Sequence, residues 1–437
     1  MRTNLIFLIF FLIISCSPKV NLELDIENLK KDGVVILQNK NIKYDNKEIS
    51  DISKVATYPA RQISNWSYPN FNSNNLLPNI NLDINFSVVK KDNFFNKSGN
   101  NSYKKEILKV ENNIIFVDDK STLFIINEDF KLLKKFQLHD RKSYNDYPLK
   151  FSLVSENNIL FISDNLGSIL AYDIKNYKII WRNNLGVPFL SNLAMSKKSI
   201  FASNSNGKIY SFDIFTGKQN WSFETGTQTA KSPSSYRVSV FNNKLLFSND
   251  FGKITCIDLD KQVIAWSHTM QLSAAYHDIN LLELADFVIE NNSLYIASNF
   301  GRFVKLDLNN GKVIWYNDTH STTTIPFLNS NTVALATDNG FFNIYDKNTG
   351  RILYKKNLLN LLKLNNVKIK NIKPNNIFMI SGKIYITTND GFVFLINSSD
   401  LQSITYKKLS NTINSNIAIS NNSISFYGND DAIFKIQ

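Results

Sequence analysis

The chain has 437 residues, of which 43% are hydrophobic and 20% are charged. This balance excludes an intrinsically disordered polymer and a protein with many membrane spans, because such a chain can bury a large core. Lysine and arginine (49) exceed aspartate and glutamate (37) by 12. These basic residues occur singly at predicted turns, which argues against nucleic-acid binding because a phosphate-binding surface needs clustered positive charge.

The N-terminus has the pattern of an export signal. Arg2 precedes an unbroken apolar run over residues 5–14, and Cys16 follows it. Ten residues cannot span a bilayer, for which about twenty are needed, and the pattern is typical of a secretory signal peptide. Residues 12–16 resemble a bacterial lipobox, which implies cleavage before Cys16 and acylation of that cysteine, with palmitate among the acyl chains. Ser17 at the next position implies the outer membrane by the same resemblance.

A segment without repeats follows the signal. Residues 16–62 are rich in asparagine, lysine and aspartate, with short apolar patches. We expect residues 1–15 to be the signal peptide, 16–62 a lipidated tether that partly packs along the folded domain, and 63–437 the domain itself.

An internal repeat organises residues 63–437. Its clearest copy places Gly207 six residues before Asp213 and fourteen before Trp221. The same offsets join Gly167 to Trp181, Gly252 to Trp266 and Gly301 to Trp315, while Gly340 leads to Tyr354 and Gly391 to Thr405. Two degenerate copies, with Ser121 and Asp431 in the glycine place, bring the count to eight units.

The spacing of the eight units predicts the fold. Successive anchors are separated by 39 to 51 residues, and each unit reads as short strands separated by turn residues, which is the pattern of a β-propeller. The sequence therefore predicts an all-β, eight-bladed propeller of four-stranded antiparallel blades.

Each motif residue has a predicted physical role. The glycines permit positive φ in tight turns, and the strand-ending aspartates accept hydrogen bonds from the amides of the next turn. The tryptophans, or Tyr354 in their place, are large enough to fill the gap between neighbouring blades. A ligand-stacking cage is the weaker interpretation, because these aromatic residues all sit at equivalent positions of the repeat.

The ring is predicted to close through an N-terminal strand. The eighth unit ends after its third strand, so a fourth strand must come from elsewhere or an unpaired edge is left exposed. Residues 82–89 alternate in hydrophobicity just before the first unit, with Phe86 in the tryptophan place. We expect this segment to be the closing strand.

The repeat resembles the PQQ-like propeller repeat, and together with the lipobox it is similar to the BamB family of lipoproteins. The resemblance rests on the eight units, the glycine, aspartate and tryptophan offsets, the lipobox and the segment Asn65 to Asn70 (Asn-Trp-Ser-Tyr-Pro-Asn). It implies a non-enzymatic scaffold without cofactor or metal on the periplasmic side of the outer membrane. It also implies binding to the periplasmic domains of BamA in the barrel assembly complex, support for the folding of outer-membrane proteins, and possible direct contact with them while unfolded.

The binding surface follows from propeller topology and from the resemblance. Links between blades lie on one face, and surface loops on a rigid scaffold commonly carry function. In the family the neighbouring links in the middle of the chain contact BamA, which here means residues 225–236 and 269–287. The candidate residues are Thr229, Ala230, Lys231, Tyr276, His277 and Asp278. For any one of them, an ordinary exposed loop residue is the simpler interpretation.

Two alternatives stay open. A quinoprotein dehydrogenase uses the same repeat to hold pyrroloquinoline quinone and calcium, but this chain has no vicinal cysteine pair and no metal-ligand spacing among its four histidines. A periplasmic adaptor or carbohydrate-binding propeller unrelated to barrel assembly is the other, because a fold does not imply a function.

Overall fold

The computed structural model describes residues 46–84, 87–92, 103–140, 147–224, 236–249, 252–270, 282–364, 367, 372–420, 423–428 and 432–437. Their strands form eight separate sheets, each of which contains one antiparallel blade, and the blades are numbered below in chain order. The predicted all-β, eight-bladed propeller is confirmed.

Within blades 1 to 7 the strands run from the innermost to the outermost in chain order, whereas blade 8 takes its outermost strand from the N-terminal part of the chain. Blade 1 comprises Ile107–Val110, Asn113–Val117, Thr122–Asn127 and Leu132–Gln137; blade 2 Phe151–Glu156, Ile159–Asp164, Ser168–Asp173 and Lys178–Asn184. Blade 3 comprises Ala194–Met195, Ser199–Ser203, Lys208–Asp213 and Gln219–Glu224; blade 4 Val238–Phe241, Lys244–Ser248, Lys253–Asp258 and Val263–Thr269.

The second half of the ring repeats this order. Blade 5 comprises Val288–Glu290, Ser293–Ala297, Arg302–Asp307 and Val313–Asp318; blade 6 Phe327–Leu328, Thr332–Ala336, Phe341–Asp346 and Ile352–Asn357. Blade 7 comprises Pro374–Ile380, Lys383–Thr388, Phe392–Asn397 and Asp400–Lys408, and blade 8 Ala418–Ser420, Ser423–Gly428 and Ala432–Ile436. A helix, Leu358–Leu364, lies in the link between blades 6 and 7. Among the residues that the structure describes, no helix has the length and the apolar composition of a membrane span.

An N-terminal strand closes the ring, as predicted, but at a different position. Val88–Asp92 pairs antiparallel with the last strand of blade 8, so that Val88 lies opposite Ile436. The prediction that the strand begins at Leu82 is wrong, because Leu82 is buried and its amide contacts Ser381 in blade 7. Phe86 lies outside the described residues.

The core lies between the blades. The second and third strands of each blade are buried along almost their whole length, whereas the outermost strand of blade 2 alternates between exposed and buried residues. A sheet covered on both faces reads as a continuous apolar run rather than as an alternation. This is why the two middle strands carry the strongest hydrophobic signal in each unit.

A bulge in the outer pair of strands positions the motif tryptophans. In blades 1 to 6 the register between the third and fourth strands shifts by one residue, and in blade 7 it shifts by three. In blade 5 the extra residue is Ile314, immediately before Trp315. A bulge bends the strand and re-aims the next side chain, and here it turns Trp315 toward blade 6, where its Nε1–H donates to the carbonyl of Lys347 at 3.0 Å.

The turns have the geometry that the motif requires. The glycines that precede the third strands have φ between 66° and 88°, and Ser121 takes their place in blade 1 with a φ of 55°. After the third strand of blade 3, the carboxylate of Asp213 accepts hydrogen bonds from the amides of Phe215 and Thr216 at 3.0 and 2.8 Å. These bonds lower the pKa of Asp213.

The residues before the closing strand pack on the propeller as a strap, defined here as residues 46–84. Ile49–Ser50 adds a fifth strand to the outer edge of blade 6, and Asn79–Ile80 pairs parallel with the innermost strand of blade 7. The strap therefore supplies hydrogen bonds to strand edges that would otherwise be unpaired.

Candidate functional site

The innermost strands bring charged residues from distant parts of the chain to the propeller axis. Lys104 and Glu106 precede blade 1. Lys150 precedes blade 2, Arg237 precedes blade 4 and Asp286 precedes blade 5. Together they line a cavity of about 240 Å³. No local motif marks this cluster in the sequence, because its members are contributed by separate blades.

Ion pairing and burial set the charge of this axial cavity. Nε of Arg237 lies 2.9 Å from Oδ1 of Asp286. Burial raises the pKa of Glu106 to about 7, although hydrogen bonds from the Leu153 amide and the Ser152 hydroxyl act in the opposite direction. Burial also lowers the pKa of Lys150 to about 8. Both groups are therefore held in an environment that disfavours their charged forms.

The strap crosses one mouth of the axial channel. The backbone of Trp66 bridges to Lys109 in blade 1, the Ser155 amide of blade 2 donates to the Ser67 carbonyl at 2.9 Å, and the Ile289 amide of blade 5 donates to the Asn74 carbonyl at 3.0 Å. Each contact uses an innermost strand, whose free edge faces the axis. The strap thus ties blades 1, 2 and 5 together across the opening.

The centre of the strap enters the cavity. The Asn70 side-chain amide donates to Oδ2 of Asp286 at 2.7 Å, and the Asn416 amide donates to the Pro69 carbonyl at 3.0 Å. Trp66 is fully buried and donates its Nε1–H to the same carbonyl at 3.2 Å. Residues 66–70 therefore form the wall of the cavity on this side.

The axial residues do not fit a quinone and calcium site. Calcium takes six to eight oxygen ligands, whereas Asp286 is committed to Arg237 and Asn70, and the pKa of Glu106 is raised rather than lowered. Among the described residues, no group of three or more histidine, cysteine, aspartate or glutamate side chains could hold a metal ion.

A latch formed by Tyr58, Glu290 and Lys347 holds the strap on blades 5 and 6. The Tyr58 hydroxyl donates to Oε1 of Glu290 at 2.6 Å, and Lys347 Nζ donates to Oε2 of the same carboxylate at 2.7 Å. Glu290 and Lys347 are both largely buried. No local motif marks these residues, because Tyr58 and Lys347 lie 232 and 57 positions from Glu290.

The candidate partner-binding residues stay predictions. Thr229, Ala230 and Lys231, together with Tyr276, His277 and Asp278, lie outside the described residues, as does the lipidation candidate Cys16. The first of these two links is flanked in the structure by Glu224 and Tyr236, and the second by Met270 and Leu282.

The family model described as "Outer membrane protein assembly factor BamB" matches residues 141–356. No curated protein sequence matches the chain significantly.

Solved structures share the fold at low sequence identity. The crystal structure of BamB from Moraxella catarrhalis has a TM-score of 0.65 and 14% identity, covering 80% of this chain and 99% of that one. The computationally designed Ika8 protein has a TM-score of 0.60 and 13% identity, covering 79% and 99%. Quinohemoprotein alcohol dehydrogenase from Comamonas testosteroni has a TM-score of 0.61 and 9% identity, covering 86% and 81%. The family match and the eight-bladed architecture together identify this chain as a β-propeller of PQQ-like repeats that resembles BamB.

Proposed function

We propose that this protein is a non-enzymatic scaffold of the outer-membrane β-barrel assembly machinery, and that it binds the periplasmic domains of BamA. The observation that carries the proposal is the match of residues 141–356 to the BamB family model within an eight-bladed propeller. The axial cavity adds support, because the protein's own strap lines it and its carboxylates are already engaged.

The partner surface in this proposal is the face that carries the links between blades. Links 225–236 and 269–287 follow blades 3 and 4 and therefore leave the propeller on the same side as the turns between second and third strands. Thr229, Ala230, Lys231, Tyr276, His277 and Asp278 are the proposed contacts. Lys231 and Asp278 carry the charges that such a contact would use for orientation.

Affinity capture tests this surface. Charge reversal at both proposed positions, Lys231→Glu with Asp278→Lys, should reduce capture of BamA from solubilised membranes while the melting temperature stays unchanged. The control on the opposite face is Lys218→Glu with Lys312→Glu, because both lysines are exposed in outer hairpin turns. Loss of capture in the control pair, with capture kept by the link pair, would place the interface on the other face.

The proposed anchor is the acylated Cys16, which holds the protein at the outer membrane from the periplasmic side. Several acyl chains anchor a protein stably where a single chain does not. Cys16→Ala should move the protein from the membrane fraction to the soluble periplasmic fraction in a strain that lacks BamA. Retention of the variant in the membrane fraction of that strain would exclude the lipid anchor.

A quinoprotein dehydrogenase is the second candidate, because quinohemoprotein alcohol dehydrogenases share the fold. That function requires a bound quinone with a visible absorption band and a calcium ion that stabilises the protein. A quinone band in the purified protein, or a rise of several degrees in melting temperature with calcium, would favour this candidate. Capture of BamA by a preparation that shows neither would favour the scaffold.

A further inference from the structure

The turn after the third strand departs from the motif in blade 4 and also in blade 2, where Tyr177 takes the glycine place with a φ of 56°. Of these two turns, only that of blade 4 follows a blade with a motif tryptophan, Trp221. Blades 3, 5 and 6 carry Gly217, Gly311 and Gly350 four residues after the strand-ending aspartate. Blade 4 carries Gln262 at this position, with a φ of 55°. A glutamine side chain therefore projects where the other three turns leave space for the tryptophan of the preceding blade.

Trp221 of blade 3 faces this altered turn and is not seated like its equivalents. Trp181, Trp266 and Trp315 are 9%, 7% and 7% exposed, and each donates its Nε1–H to a backbone carbonyl of the next blade. Trp221 is only half-buried. Within the described part of the chain its indole N–H has no hydrogen-bond partner, and its ring contacts Phe201 at a centroid distance of 5.8 Å.

An open cleft with a volume of about 1000 Å³ lies between blades 3 and 4, and Trp221 and Gln262 both line it. Trp221 and the strap residue Tyr68, both partly exposed, supply aromatic surface, and polar side chains surround them. Phe201, which contacts Trp221, is buried. Asn220, Asn242, Asn243 and Asp260 lie at the rim, where the Asn243 amide donates to Oδ2 of Asp260 at 3.1 Å.

We propose that this cleft binds a saccharide unit, with Trp221 stacking on the sugar ring. A sugar presents an apolar face of C–H groups and an edge of hydroxyl groups that both donate and accept. The indole offers an apolar face and an unused donor. The asparagine amides each offer donors and an acceptor, and Asp260 offers acceptors. The site does not depend on the proposed scaffold function.

An extended peptide fits the cleft less well. A bound strand needs a run of unpaired backbone groups along the wall. Only two consecutive residues, Asn220 and Trp221, come from the outermost strand of blade 3, and the rest of the lining is contributed by the strap and by separate turns and strands of blades 2, 3 and 4.

The test is binding of chitotetraose to the whole protein, measured by saturation-transfer NMR and by tryptophan fluorescence. Wild-type protein should bind, and Trp221→Ala should weaken binding at least about tenfold, as expected for an aromatic anchor. Phe215→Ser is the matched control, because Phe215 is an aromatic residue of blade 3 that is 62% exposed and lies outside the cleft. It should bind like the wild type.

A second variant tests the cause of the cleft. Gln262→Gly restores the motif, so Trp221 should dock on blade 4, become less accessible to acrylamide quenching and lose the sugar, while the melting temperature rises. The proposal is overturned if chitotetraose does not bind the wild type, or if Gln262→Gly binds it equally well. Binding of a capped octapeptide of alternating valine and threonine at the same site, without sugar binding, would also overturn it.

Discussion

The indole of Trp181 in blade 2 lies directly against Gly217 in blade 3, and its Nε1–H donates to the carbonyl of Ile214 at 2.9 Å. The glycine serves two needs at once. Residues that carry a side chain rarely adopt its φ of +70°. A Cβ at this place would also lie 2.5 Å from Cδ2 of Trp181. The same relationship joins Trp266 to Gly311.

Gly217→Ala should therefore destabilise the propeller by about 2–4 kcal/mol, from backbone strain together with displacement of the indole. Chemical denaturation measures the change. The control is Gly186→Ala, because Gly186 has a similar φ of +66° but no atom within 4 Å of the added Cβ. Its cost should be about 1 kcal/mol. Equal losses for the two variants would show that contact with Trp181 contributes nothing.

Closure of the ring depends on the strand Val88–Asp92. Replacing residues 88–92 by a glycine–serine linker of equal length should lower the melting temperature strongly, since the last strand of blade 8 would lose its outer partner. The same replacement at residues 21–25, in the predicted tether, should leave it unchanged. Similar melting temperatures for the two variants would contradict closure through this strand.

The buried carboxyl of Glu106 predicts a pH dependence of stability. Its pKa is raised from 4.5 to about 7, mainly by burial, with Lys150 lowering and Asp286 raising it by their charges. The folded state therefore holds this proton more tightly than the unfolded state, so the contribution to stability is present below about pH 4.5 and lost as the pH rises through about 7.

Glu106→Gln tests this dependence, because the amide oxygen can still accept the hydrogen bond from Leu153. The difference in melting temperature between variant and wild type should shift in favour of the variant between pH 5 and pH 7.5. A constant difference across this range would mean that Glu106 is ionised in the folded protein throughout.

The latch between the strap and blades 5 and 6 should be measurable through Tyr58. Tyr58→Phe removes the donor to Glu290 and should cost about 1–2 kcal/mol, because a hydrogen bond to a charged group is lost. It should also speed proteolysis of the strap. Tyr316→Phe is the control, since Tyr316 is 56% exposed and outside the latch. Unchanged proteolysis in Tyr58→Phe would show that the strap is held elsewhere.

Much of the architecture could be read from the sequence, because it is encoded in residues close together along the chain. The offsets from Gly207 to Asp213 and Trp221 lie within one unit of two turns and two strands, so turn geometry and strand period are enough to predict them. The closing strand was predicted in kind but misplaced, since the alternation over residues 82–89 does not reveal that Leu82 packs on blade 7.

The charged axial cavity and the cleft at Trp221 were decided only by the tertiary structure. Glu106, Lys150 and Asp286 meet because blades 1, 2 and 5 converge on one axis, and no pattern along the chain relates positions so far apart. The strap that lines this cavity shows no repeat, so its pairing with Lys109, Ser155 and Ile289 could not be inferred. Trp221 satisfies its own motif fully. It is nevertheless only half-buried, beside Gln262 of the next blade, and a motif confined to one unit does not specify the packing between two.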